Sequence, residues 1–195
     1  VYDGDAVVVS ASPGEDDALA LSIEARGDLC ATGSAGLKGA APAQILLPTS
    51  EMPEFDSRPR ASRESLSPGA ALGTLRETYT REKGLAHIEA VRDDPALYDD
   101  GRIANAAWLL RRANYVLADN VRLGPWIHVE SAIDLHSLLL DGDELEVRAV
   151  VAENVETKGH LVVALDVQML CGDRRIMSCR HRAIYEPRQV RQTTP

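Results

Sequence analysis

The chain has 195 residues and a net charge of −9, from 21 Lys and Arg against 30 Asp and Glu. Hydrophobic residues at 45% and charged residues at 26% exclude a disordered or coiled-coil chain, and an acidic pI of about 5.0 excludes broad binding to nucleic-acid phosphates. With aromatics at 4% and a single Phe, Phe55, the core has to be built from Val, Leu, Ile and Ala.

Asp3-Gly4-Asp5 opens a β-rich run, Ala6 to Ser10. A polar turn over Ser12–Asp17 leads into the near-alternating stretch Ala18 to Ala25, and Gly27-Asp28 turns the chain into a third strand, Leu29 to Leu37. This predicts a meander of three antiparallel strands. The same plan returns late in the chain. Asp141-Gly142-Asp143 precedes a strand over Glu144–Glu153, a turn over Asn154–Gly159 leads into Leu161–Leu170, and Gly172-Asp173 turns the chain into Ile176–Tyr185. Hairpins share turn chemistry, yet two Asp-Gly-Asp openings and two Gly-Asp turns in one order point to a duplication. Three strands bury too little apolar area to stand alone, so residues 1–40 are expected to complete a sheet with an upstream half, a separate chain or the second repeat. A structure is expected to show them in a sheet beside that repeat.

Residues 41–73, with Pro42, Pro48, Pro53, Pro59 and Pro68, read as a linker crossing the surface. Thr74–Ala90 reads as a strand followed by a short helix, and Arg92–Gly101 as a loop. Ile103–Asn120 is the strongest helix signal, with Ile103, Ala106/Ala107, Leu110, Asn114 and Leu117 on one face. Trp108, Leu109, Tyr115 and Val116 on the other faces predict a buried helix, with its charges gathered at Arg111-Arg112. Asn114 interrupts the apolar face, and a buried amide needs partners, structural or functional. After Gly124-Pro125, Trp126–His136 reads as a strand. Alternation places Trp126, His128, Glu130, Ala132, Asp134 and His136 on one face and the apolar set Ile127, Val129, Ile133 and Leu135, with Ser131, on the core face. Four ligands along one strand do not converge on one ion, so the polar face is read as solvated or as an interface, with no metal.

Cys30, Cys171 and Cys179 form neither an even set nor a CxxC, which argues against a disulfide framework and against zinc. No apolar run reaches the ~20 residues of a membrane helix and no secretory signal is visible. A cytoplasmic protein without membrane or nucleic-acid partners is expected.

A long buried helix followed by a long antiparallel meander is the plan of the hot-dog fold, an α+β class in which a sheet wraps a central helix. The chain resembles MaoC-like enoyl-thioester hydratases and dehydratases of that fold. The residues that carry the resemblance are Asp93-Asp94-Pro95-Ala96-Leu97-Tyr98-Asp99-Asp100, then Gly101-Arg102-Ile103-Ala104-Asn105-Ala106, with Gly142-Asp143-Glu144-Leu145-Glu146-Val147 at the start of a strand. The resemblance implies a double hot-dog: 1–40 as the last three strands of an incomplete first repeat, 74–187 as a complete second repeat, and 188–195 as a tail. It also implies a homodimer, or pairing with a missing N-terminal half.

In that family an Asp/His pair activates water and a backbone N–H holds the thioester oxyanion. Here Asp93 stands at the Asp position, Tyr98 and Asn105 replace two histidines, and the Ala106 N–H stands where a glycine donates. Tyrosine is a poor general base at neutral pH, which implies a catalytically degenerate half. Gly101–Ala106 is also similar to the corresponding segment of hot-dog acyl-CoA thioesterases, in which Asp99, Asp93 or Glu130 would serve as base or nucleophile. A non-catalytic acyl-thioester-binding half is the third reading. Arg111, Arg112, Arg122 and Lys158 are the candidates for coenzyme A phosphates, coenzyme A entering as part of the substrate and not as a cofactor. His160, His181 and Cys179 are read as structural.

Overall fold

The computed structural model describes residues 2–39, 45–92, 96–98 and 100–192 and divides into two units, Val1–Gln44 and Ile45–Pro195. In the first, β1 (Val7–Pro13), β2 (Leu19–Ala25) and β3 (Asp28–Ala35) form an antiparallel meander. The second hairpin turns on Arg26 and Gly27, both at positive φ (56° and 79°), as a two-residue turn with right-handed strand twist requires. The three strands form a sheet of their own. Every residue of β1 and β3 is exposed, Val7, Val8, Val9 and Leu29 among them. A meander with so little buried area agrees with the argument that three strands alone do not make a core.

The second unit holds β4 (Ala71–Thr78), α1 (Arg81–Val91), α2 (Ala106–Asn120), β5 (Ile127–Leu135), β6 (Glu144–Thr157), β7 (His160–Cys171), β8 (Arg174–Glu186) and the short α3 (Arg188–Gln192). Its strands make one antiparallel sheet in the order β4-β6-β7-β8-β5, and α2 lies over β4, β6 and β8. The core between them is mostly aliphatic, as the composition demanded, with Tyr79, Trp108 and Tyr185 as its aromatic members. Leu109, Ala113, Val116 and Leu117 of α2 join the same buried cluster as Val147, Ala149, Val151, Leu165, Val167 and Met169. Each fully buried Leu or Val contributes about 1.5–3 kcal/mol of transfer free energy.

Four expectations change. The proline-rich segment is a packed part of the second unit from Ile45 onward: Leu66 is fully buried, and the Gln168 side chain bonds the backbone of Leu47 and Ile45. The β6–β7 turn is only Lys158-Gly159, because both residues adopt positive φ (52° and 80°), so the two strands run longer than predicted. The buried stripe of α2 runs Trp108/Leu109, Arg112/Ala113, Val116/Leu117, Asn120, rotated from the predicted one. It therefore carries Arg112 inward, with its guanidinium 3.3 Å from the Trp108 ring centroid and bonded to Glu77 at 2.7 and 3.1 Å. Burial raises the Glu77 carboxyl, but the bonds from Arg112 and Lys83 outweigh it and hold the group below its ordinary range.

The fourth change lies in β5. A bulge between His128 and Glu130 shifts the alternation, so that Ser131, Ile133 and Leu135 pair with His181, Cys179 and Met177 of β8. Those partners are buried, so the later half of the apolar set, Ser131, Ile133 and Leu135, is on the inner side of the sheet, as predicted, while ahead of the bulge His128, opposite buried Ala183, takes that side in place of Ile127. The later half is nevertheless uncovered: Ile133 and Leu135 are 38% and 57% exposed. The strand lies at the sheet edge, beyond the strands that α2 covers.

Candidate functional site

The first turn of α2 is positioned by two anchors. Asn105 is the N-cap, its Oδ1 accepting from the Ala107 N–H at 2.8 Å. Upstream, residues 102–104 run antiparallel to residues 139–141: the Ala104 N–H donates to Leu139 O (2.9 Å) and the Asp141 N–H to Arg102 O (2.9 Å). Gly101 lets the chain just ahead of this pairing pass close against α1. Its φ is +69°, and a Cβ there would sit 2.6 Å from the Arg81 carbonyl oxygen. The Tyr79 phenol donates to the Gly101 carbonyl at 2.8 Å. Burial, with the nearby Asp141 and Asp100, pushes that phenol up to about 12, so it stays a donor at any ordinary pH.

The opposite wall is the end of β5. The His136 and Ser137 N–H groups both donate to Ile176 O, the Ser137 hydroxyl donates to Arg175 O, and His136 Nε2 lies 2.7 Å from Ser178 Oγ. Between the two walls is a groove of about 320 Å³ lined by Tyr98, Ala104, Ala106, Leu109, Leu135, His136, Ser137, Leu138 and Leu139. That size and its mostly apolar lining with a few convergent polar groups suit a small organic ligand. Ala106 is the first helical residue, so its N–H has no acceptor within the helix, and the positive end of the helix dipole lies in the groove wall.

The predicted site residues divide clearly. Tyr98 and Ala106 line the groove and Asn105 caps the helix at its wall. Asp93 and Asp99 lie outside the described residues. Asn114 is half-buried two turns along α2, away from the lining residues, with its Oδ1 lacking a hydrogen-bond partner. None of Arg111, Arg112, Arg122 and Lys158 lines the groove. Arg112 is committed to Glu77, and Arg111 lies over the Tyr115 ring at 5.5 Å. Arg122 is exposed just after α2 and Lys158 is exposed in the β6–β7 turn. Glu130 pairs with Arg182 at 3.1 Å, and His160 Nδ1 accepts from the Arg188 N–H.

Sequence reasoning missed His136 and Ser137. Alternation put His136 on a solvated face, but it stands one residue past the strand, where the chain turns toward α2. The signal that was available is the break in alternation at His136-Ser137. Among the described residues, no group of three or more His, Cys, Asp and Glu side chains is placed to hold a metal ion, and no helix is long and apolar enough to cross a membrane.

No family model and no curated protein sequence matches the chain. Solved structures do. One chain of the 3R-hydroxyacyl-ACP dehydratase complex HadBC from Mycobacterium tuberculosis superposes with TM-score 0.51 at 19% identity, covering 60% of this chain and 95% of that one. A protein described as a monoamine oxidase regulatory protein from Archaeoglobus gives TM-score 0.54 at 15% identity, over 71% of this chain and 98% of that one. The chain has the hot-dog fold. The R-hydratase PhaJ1 from Pseudomonas aeruginosa shares it at TM-score 0.50 and 12% identity, over 62% of this chain and 82% of that one. These likenesses establish the fold, an antiparallel sheet around the long helix α2, that the MaoC-like resemblance implied.

Proposed function

We propose that the chain handles acyl thioesters in the groove at the start of α2, as an enoyl-thioester hydratase or dehydratase. The observation that carries the reading is the Ala106 N–H at a helix N-terminus in the wall of an apolar groove that also holds Tyr98 and His136. In addition of water to an enoyl thioester, negative charge develops on the carbonyl oxygen while a base removes a proton from water. A fixed N–H aimed at that oxygen acts without reorganisation, and the helix dipole adds to it. In this reading Ala106 holds the oxyanion, His136, its ring oriented by Ser178, receives the water proton as the hydroxyl adds to the β-carbon and returns it to the α-carbon as the enolate collapses, and Tyr98 closes the mouth of the groove. Asp93 is the acidic partner that the resemblance implies. His136 thus supplies the imidazole that Tyr98 and Asn105 no longer provide. The fold shared with a 3R-hydroxyacyl-ACP dehydratase and an R-hydratase supports the reaction class.

Coenzyme A or a carrier thiol arrives with the substrate, its phosphates meeting exposed cations such as Arg111, Arg122 and Lys158. The protein acts in the cytoplasm, as a homodimer or paired with a second hot-dog half; the HadBC structure is likewise a complex. The test is incubation with crotonyl-CoA. Loss of the enoyl absorbance with formation of 3-hydroxybutyryl-CoA supports the proposal. Release of free CoA without hydration supports the thioesterase reading instead, and binding without turnover supports a non-catalytic half.

A further inference from the structure

Ser131 lies between two imidazoles. Its Oγ is 2.8 Å from His128 Nε2 and 3.0 Å from His181 Nδ1, and the two rings stack with centroids 4.5 Å apart and planes at 27°. Sequence alternation put Ser131 and His128 on opposite faces; the β5 bulge puts them together. His181 is fully buried, and its Nε2 has no hydrogen-bond partner.

The proton positions follow from that burial. The apolar surroundings, with His128 adding a smaller effect, push the His181 imidazole down to about 4, so the ring is neutral at pH 7. A neutral ring carries one proton. On Nε2 it would be a buried donor without an acceptor, the rarer and costlier defect; on Nδ1 it points at Ser131 Oγ. The serine oxygen therefore accepts from His181 Nδ1–H and keeps a second lone pair. Its own O–H faces His128 Nε2, 2.8 Å away.

We propose that Ser131 is a nucleophile with His128 as its general base, a second reactive site that accepts an acyl group from an activated ester or thioester. His128 is exposed and Ser131 half-buried, so an ester reaches the hydroxyl from solvent. As Ser131 Oγ bonds to the acyl carbon, its proton passes to His128 Nε2, and the His181 N–H holds the charge developing on Oγ. The carbonyl then re-forms as the bond to the leaving group breaks, and His128 returns the proton to the departing thiolate or alkoxide. The products are an O-acyl serine and a free thiol or alcohol. The site stands on strand geometry and proton placement alone, so it does not depend on the hydratase reading.

The experiment is acetylation of the full chain by p-nitrophenyl acetate, followed by intact mass and peptide mapping. The expected result is one acetyl group on Ser131, absent from Ser131→Ala and formed at least about a hundredfold more slowly in His128→Gln, the usual loss of a general base. An unaltered chain with no acetyl group on Ser131 overturns the proposal without reference to any variant. So does a His128→Gln chain that acetylates Ser131 at the unaltered rate.

Discussion

Replacing Ala106 by proline isolates the donor on which the proposed chemistry depends. Proline is well tolerated at the first position of a helix, where its missing N–H has no intrahelical acceptor and its fixed φ suits the turn. The residue before a proline must be extended, and Asn105 already is, at φ −63° and ψ 141°. The Asn105 cap goes to the Ala107 N–H and survives the change. Ala106→Pro therefore deletes one N–H from the groove while costing the fold about 0.5 kcal/mol or less. Loss of one oxyanion donor typically costs about 2.7–4 kcal/mol of transition-state stabilisation, or roughly a hundredfold to a thousandfold in rate. The assay is crotonyl-CoA hydration by the unaltered chain, by Ala106→Pro and by Ala106→Gly, which keeps the N–H, with urea midpoints recorded for all three. The expected order is near-normal hydration for glycine and a hundredfold loss or more for proline, at similar stabilities. Full activity in the proline variant refutes the assignment of Ala106.

Three further outcomes follow from the interior. Asn120 accepts from the Gly73 N–H (2.5 Å) and donates to Gly73 O (3.0 Å) and Val116 O (2.7 Å), so Asn120→Ala strands buried backbone groups and should lower the unfolding free energy by about 2–4 kcal/mol in urea titrations; a loss under about 1 kcal/mol contradicts this. Arg112→Met leaves Glu77 with Lys83 alone and should destabilise by about 2–4 kcal/mol, whereas the double change with Glu77→Met should recover much of that, since two matched apolar side chains replace a desolvated pair. His181 is held neutral in the fold and binds a proton readily when unfolded. Stability should therefore fall as the pH drops below about 6.5 and level off near 4, and His181→Gln should flatten that part of the urea-midpoint profile; an unchanged slope counts against its burial as the cause.

The second unit was largely legible because its signals are local and periodic. The strands flanking Lys158-Gly159 and Gly172-Asp173, and the helix ending at Asn120, follow from alternation, turn residues and a run of apolar side chains. Groups whose role depends on partners far along the chain were not legible. Asn114 drew attention as an amide in an apolar stripe, yet the amide that ties α2 to β4 is Asn120, one and a half turns further on, because the stripe is rotated. That rotation also hides Arg112, whose inward position requires Glu77 on a different element. The β5 bulge is likewise invisible to a period of two, and it decides that Ser131 meets His128. At the groove, Tyr98 and Ala106 were found through their motif, while His136 needed the turn at the end of β5.

The groove at the start of α2 is tested most directly by calorimetric titration with crotonyl-CoA and, in parallel, with free coenzyme A. If the acyl group enters the groove and its carbonyl meets Ala106, crotonyl-CoA binds saturably and more tightly than coenzyme A, and Ala106→Pro removes the difference. Equal affinities for the two ligands, or no binding of either, contradict the account.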